Sequence, residues 1–165
     1  MVALYHRVFA DSEGPAEGEL IGDLAQRLLA TTEGGDLMGF VAREEERIVG
    51  CILFTRLRFD DPVNAFLLSP VAVDTGRQRS GIGRRLIGHG LDYLSQSGVE
   101  LVFTYGDPRY YAKTGFEPVP EAIAQAPFDL AYPEGWLVRC LSQTDCPPLS
   151  GRSRCVDAFN DPRYW

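Results

Sequence analysis

An α/β domain organised around a strand-helix-strand unit is predicted by three features of the sequence. Apolar residues recur at helical spacing in residues 2–10 and 19–30 and again after Gly83. Between these segments lie short β-type runs. The apolar run at 63–73 leads through a glycine- and arginine-rich loop into the third helical segment and then a strand at 99–105. At 165 residues, 45% hydrophobic and 24% charged, with 17 Gly and 11 Pro, the chain has the length and composition of one domain, with 1–146 as core and 147–165 as tail. A chain of this size buries roughly two-thirds of its unfolded surface, so it needs no disulfide or metal to hold a core.

Each element follows from the local pattern. The two leading helices are broken by Asp11-Ser12-Glu13-Gly14-Pro15, which reads as a loop. Leu37 to Ala42 and Ile48 to Leu57 read as strands of an antiparallel hairpin, with the charged Glu44-Glu45-Glu46-Arg47 as its solvated turn. Residues 63–73 are almost wholly apolar, as a central strand would be, yet Pro70 has no N–H to give a ladder, so a bulge or splay is expected there. Leu86, Ile87, Leu91 and Leu94 form one face of the third helix, which Ser97-Gly98 ends. Residues 108–114 read as a short helix stopped by Gly115, 116–119 and 136–141 as strands, and the tail from Pro147 as loop.

Composition excludes several function classes. The formal charge of −7 (16 Lys and Arg against 23 Asp and Glu) disfavours nucleic-acid binding through a basic surface. No run approaches the ~18 apolar residues of a membrane span, and the N-terminus does not read as a secretion signal, so a cytoplasmic protein is expected. Cys51, Cys140, Cys146 and Cys155 form no Cys-x-x-Cys pair and only His6 and His89 could join them, so no metal site is expected. Cys51 lies in an apolar run and reads as a small buried hydrophobe. Cys146 and Cys155 flank Pro147-Pro148 and could approach each other, although a cytosolic chain keeps thiols reduced.

The segment that carries chemistry is 71–85, Val-Ala-Val-Asp-Thr-Gly-Arg-Gln-Arg-Ser-Gly-Ile-Gly-Arg-Arg. Here an apolar strand enters a Gly/Arg loop and then a helix. Gly81 and Gly83 let backbone approach a ligand closely, and the free N–H groups and dipole of the helix start, with Arg79 or Arg84, favour a pyrophosphate. A Walker loop would need Lys and then Ser or Thr after its closing glycine, where this chain has Ile82, and a dinucleotide fingerprint would need a small residue at Leu86. A glycine turn that merely packs helix against strand is the remaining non-functional reading.

Gln78-x-x-Gly81-x-Gly83 resembles the acyl-CoA loop of the GCN5-related N-acetyltransferases (GNAT superfamily), and Leu68-Ser-Pro-Val-Ala-Val-Asp74 resembles the strand before it. Gly106-Asp-Pro-Arg-Tyr-Tyr-Ala-Lys-Thr-Gly-Phe-Glu-Pro118 is similar to the second signature of the superfamily, in the wording of its YhbS-like branch. The resemblance spans residues 1–141 loosely and 66–118 specifically. It implies a central mixed β-sheet flanked by helices, with splayed central parallel strands between which the pantetheine arm of acetyl-CoA lies. It assigns Val71, Ala72 and Val73 to pantetheine, Gln78, Arg79, Ser80, Gly81, Ile82, Gly83 and Arg84 to pyrophosphate, and leaves the adenine end mostly exposed. Tyr111 falls where the superfamily commonly places the donor to the departing CoA thiolate, while Tyr110, one residue earlier, is expected to face elsewhere as core.

The activity implied is transfer of acetyl from acetyl-CoA to an acceptor amine, on a small molecule or a peptide or protein, by direct attack on the thioester and without metal. A noncatalytic acyl-CoA-binding or sensing module is the alternative. Glu13, Glu17 and Asp107 are candidates for the general base, and each also reads as a capping or solvated carboxylate. Two departures stand out. Members begin with a strand before the first helix, whereas helical sequence follows Met1 at once, so that strand is absent or the start is late. Thr104 stands where many members carry an Asn that contacts pantetheine. Members often dimerise, which leaves a homodimer open.

Overall fold

The computed structural model describes residues 1–142 and 146–165. Helices α1 (Val2–Glu13) and α2 (Pro15–Thr31) lead into the hairpin β1 (Leu37–Glu44) and β2 (Arg47–Leu57). Then come β3 (Ala65–Val73), α3 (Ile82–Gln96), β4 (Leu101–Tyr105), α4 (Pro108–Tyr111), β5 (Glu117–Pro118) and β6 (Trp136–Cys140). The six strands form one mixed sheet in the order β1-β2-β3-β4-β6-β5, with β3 and β4 as its parallel pair. The α/β class and the mixed sheet flanked by helices are as expected.

The loop expected at Asp11–Pro15 is a correction. Its polar residues are the exposed side of a helix that continues to Glu13, and only Gly14, at φ 102°, separates α1 from α2. Pro15 stands in the first turn of α2, where its missing N–H removes no helical bond. Glu13 and Glu17 therefore lie on helices rather than in a loop.

Strand alternation sorts the core into two layers. Leu53, Leu67, Phe103 and Trp136 face α1 and α2, where they meet Leu4, Tyr5, Leu24 and Leu28. Phe54, Phe66, Leu68 and Val102 face α3 and its apolar stripe of Leu86, Ile87, Leu91 and Leu94. Each such side chain contributes roughly 1.5–3 kcal/mol by leaving water. Cys51 is fully buried in the first layer, as its apolar run predicts. Cys146 lies beside Cys140, its thiol pushed up to about 11 by burial and then by that neighbour.

The tail closes over the first layer. Arg154 exchanges backbone hydrogen bonds with Arg58, and Trp165 is buried against Phe159 and Trp136. The tail's aromatics thus cover the chain's own sheet.

The feature that positions the site is the parting of β3 and β4. Their ladder runs from Ala65 opposite Leu101 to Leu67 opposite Phe103 and ends there. At the next position the Thr104 hydroxyl donates to the Leu68 carbonyl at 2.9 Å, so a side chain replaces the ladder bond. On the other side, β2 pairs Phe54 with Leu68 but Ile52 with Val71, so Ser69 and Pro70 bulge opposite Leu53. A bulge or splay is expected at Pro70; the bulge is present there, and the β3/β4 ladder ends just before it.

Candidate active site

Past the bulge, the Asp74 N–H donates to the Val49 carbonyl at 2.8 Å. Residue 74 therefore turns its backbone toward β2, and alternation turns the N–H and C=O groups of Val73 and Val71 the other way, into the gap beside β4. That gap is part of a cavity of about 630 Å³. Val71 and Val73 form its strand side, the loop 77–84 closes one end, and Tyr110 and Tyr111 line it from α4. The Gln78 side-chain amide donates to the Val73 carbonyl at 3.3 Å, which ties the start of the loop to the strand.

The loop is fastened from outside. The Asp74 carboxylate accepts from the Gly76 N–H and pairs with Arg7 at 2.9 Å and Arg47 at 3.6 Å. The Thr75 hydroxyl donates to Asp11, and Arg77 pairs with Glu44. Exposed pairs of this kind contribute little singly, at most about 1 kcal/mol, but together they tie the loop to α1 and the hairpin. Inside, Arg79 (φ 61°) and Gly81 (φ 83°) are both left-handed, which tightens the turn into α3. Among the described residues, the amides of Arg79 to Arg84 have no acceptor, so six consecutive positions offer free N–H groups at the positive end of a 15-residue helix. This is an anion cradle.

Tyr111 is the buried member of the tyrosine pair. Its ring stands edge-on to Phe116 and to Tyr110 and packs against Gly106. Burial pushes its phenol up to about 12, against a hydrogen bond with Thr104 that lowers it. Tyr5 approaches from α1 and donates to the Pro70 carbonyl at 3.0 Å, and burial raises its phenol also. The parting strands are thus bordered by two phenols that stay protonated and by the hydroxyl of Thr104.

Nine of the eleven residues singled out in the sequence line this one cavity: Val71, Val73, Gln78, Arg79, Gly81, Ile82, Gly83, Arg84 and Tyr111. Ala72 does not, because its side chain turns into the core beneath α1, and Ser80 lines a neighbouring cavity instead. Tyr110 corrects its expectation: it is half-buried and lines the cavity, its hydroxyl resting against Gly83. Burial raises its phenol, and the nearby Arg84 charge opposes that shift. Lys113, the only lysine, also lines the cavity and was not singled out. The carboxylates stand apart. Asp107 caps α4 by accepting from the Arg109 N–H at 2.9 Å. Glu17 lines a depression shared with Arg163 and Tyr164, and burial followed by the charge of Glu13 raises its carboxyl. Among the described residues, no three His, Cys, Asp or Glu side chains cluster as a metal site would require, and no helix is long and apolar enough to cross a membrane.

Comparison with known proteins agrees with this geometry. Residues 36–118 match the family described as "Acetyltransferase (GNAT) domain". The chain is 33% identical over 141 residues to the uncharacterized N-acetyltransferase YjhQ of Escherichia coli, covering 82% of this chain and 77% of that one. It is 32% identical over 117 residues to the uncharacterized N-acetyltransferase YhbS of the same organism, covering 70% and 65%. In fold it resembles the crystal structure of Escherichia coli YhbS in complex with CoA (TM-score 0.76, 24% identity, 97% of this chain and 87% of that one). It also resembles a GNAT acetyltransferase of Brucella melitensis in complex with acetyl-CoA (TM-score 0.70, 24% identity, 96% and 91%). With the parted strands, the amide cradle at α3 and these matches in hand, the chain belongs to the GNAT acetyltransferase family.

Proposed function

We propose that this N-acetyltransferase binds acetyl-CoA in the cleft between β3 and β4 and transfers its acetyl group to an acceptor amine, on a small molecule or a peptide or protein. The observation that carries this reading is the pairing of two ligand-shaped features in one cavity. Main chain turned away from β2 at Val71 and at the Val73 N–H suits the amides of pantetheine, which add to the sheet as a strand would. The free amides of the 79–84 loop, with Arg79 and Arg84, suit a pyrophosphate.

In the reaction the amine nitrogen attacks the thioester carbonyl carbon, a C–N bond forms, the C–S bond breaks and the amine releases a proton to solvent. Tyr111 is assigned to the leaving sulfur. With its phenol near 12, well above a free thiol at about 8.5, Tyr111 stabilises the departing thiolate chiefly by donating a hydrogen bond, and that donor is present at every pH near neutrality. Holding thioester and amine together accounts for much of the rate enhancement.

Calorimetric titration with acetyl-CoA tests the reading, with phosphopantetheine analogues that lack the pyrophosphate as comparison. Saturable binding that weakens sharply without the pyrophosphate is expected, followed by acetylation in a screen of amines. A folded sample that does not bind acetyl-CoA overturns the proposal, and binding without turnover on any amine favours a noncatalytic acyl-CoA sensor.

A further inference from the structure

Charge is distributed unevenly over the basic side chains. Of the 16 Lys and Arg residues, nine are held in ion pairs with carboxylates among the described residues, which leaves seven with no such pair there. Five of those seven, Arg79, Arg84, Arg85, Lys113 and Arg139, line a single second cavity of about 490 Å³, in which Asp92 is the only acidic side chain among the described residues. This cavity lies beside the cleft, along the outer face of α3, and shares Arg79, Gly81, Arg84 and Lys113 with it. A chain of net charge −7 has therefore paired most of its cations elsewhere and, among the described residues, gathered five of them around a single carboxylate. Such an arrangement is unfavourable unless an anion offsets it.

Two of the five, Arg139 and Arg85, line this cavity without lining the cleft and are oriented by backbone, and Arg85 also borders a depression that holds Glu44. The Arg139 guanidinium donates through Nη1 to the Thr114 carbonyl at 2.9 Å, and its buried Nε has no acceptor among the described residues. Arg85 donates through Nη1 to the Ser80 carbonyl at 3.4 Å. Both keep further N–H groups for a ligand, in the planar fork that suits phosphate oxygens.

We propose that this second cavity binds the 3′-phosphate of the acyl-CoA ribose, so that the protein distinguishes CoA from dephospho-CoA. The proposal rests on the acetyl-CoA reading above. CoA carries two separate anionic groups, and the loop amides serve the pyrophosphate. A phosphate monoester near neutral pH carries close to two charges and three acceptor oxygens, which matches a pocket of Arg85, Lys113 and Arg139. The expectation of an exposed adenosine end is thereby revised for its phosphate.

The test is calorimetric titration of the protein with CoA and with dephospho-CoA. CoA is expected to bind about tenfold tighter or more, the size of effect that charge-assisted hydrogen bonds supply. Arg85→Gln changes an exposed side chain and should lower CoA affinity toward that of dephospho-CoA while leaving dephospho-CoA affinity as it was. Arg139→Gln should do the same and, because Arg139 also braces Thr114, is accompanied by a melting curve. Equal affinity of wild type for the two ligands overturns the 3′-phosphate site and leaves the acetyl-CoA reading standing. A preference for CoA that survives in Arg85→Gln and in folded Arg139→Gln also overturns it. Binding of neither ligand overturns both readings.

Discussion

The hydroxyl of Tyr110 rests directly over Gly83, so close that a Cβ at 83 would overlap it while also touching Val73 at 3.4 Å. The absence of a side chain at this position therefore does two things. It leaves the first turn of α3 open to a ligand, and it admits a phenol from α4 to the wall of the cavity.

Gly83→Ala is expected to weaken acetyl-CoA binding with little change in melting temperature. Alanine gains up to about 1 kcal/mol of helix propensity over glycine, which offsets much of the overpacking against Tyr110. The double variant Gly83→Ala/Tyr110→Phe removes the overlapping oxygen and should recover part of the lost affinity. Calorimetry and thermal melts on wild type and the two variants check this. A large fall in melting temperature that the second substitution fails to relieve would mean that Gly83 serves packing alone.

Tyr111→Phe should lower turnover about a hundredfold with little effect on CoA affinity, since it removes a donor to the leaving sulfur and keeps the ring. It should also change the alkaline limb of stability. The Tyr111 phenol is raised from 10.0 to about 12 in the folded chain, so between those values the unfolded chain binds fewer protons and stability falls as pH rises. The loss approaches about 3 kcal/mol at the top of that window and is absent below pH 10. Urea denaturation from pH 9 to 11.5 should therefore show a shallower decline for the Phe variant than for wild type, the remaining slope coming from groups such as Tyr5. Parallel slopes would remove Tyr111 as the source.

The loop and Tyr111 are legible in sequence because they answer local demands. Gly81 is needed for a left-handed turn, and Tyr111 sits in a fixed frame with Gly115 and Phe116. Tyr110 is misread because neighbours on a helix lie about 100° apart, not opposite. On an α4 only four residues long, both tyrosines reach the same cavity. The Asp11–Pro15 break is misread because a polar stretch looks alike as loop and as exposed helix. Arg139 is illegible for a different reason: it comes from β6, and which arginines lack a carboxylate is decided only by tertiary contacts.

Thr104 holds the point where β3 and β4 part. Thr104→Val keeps the shape but leaves the Leu68 carbonyl without its donor in a buried setting, which costs about 1–3 kcal/mol. A fall of several degrees in melting temperature is expected, on the order of 2–4 °C per kcal/mol for a chain of this size. Thr104→Ser retains the hydroxyl and should recover much of that loss. If Val and Ser variants melt together, the hydroxyl does not stabilise the junction.

Trp165 ties the end of the chain to the face of the sheet covered by α1 and α2. Its indole N–H donates to the Phe159 carbonyl at 3.2 Å, and its ring stacks with Tyr105 at 6.4 Å and meets Trp136 edge-on at 6.1 Å. Trp165→Ala opens this cluster and should cost about 3 kcal/mol, at the lower end for a buried tryptophan because a terminal segment relaxes readily. Trp165→Phe keeps an aromatic contact but loses the N–H and part of the ring's packing area, for about 1–2 kcal/mol. CoA affinity should be unchanged in folded samples of both, since Trp165 belongs to the opposite layer of the sheet from α3. Denaturant titrations give the two stabilities and calorimetry the affinity. Loss of CoA binding in the folded Phe variant would instead make the tail part of the acyl-CoA site.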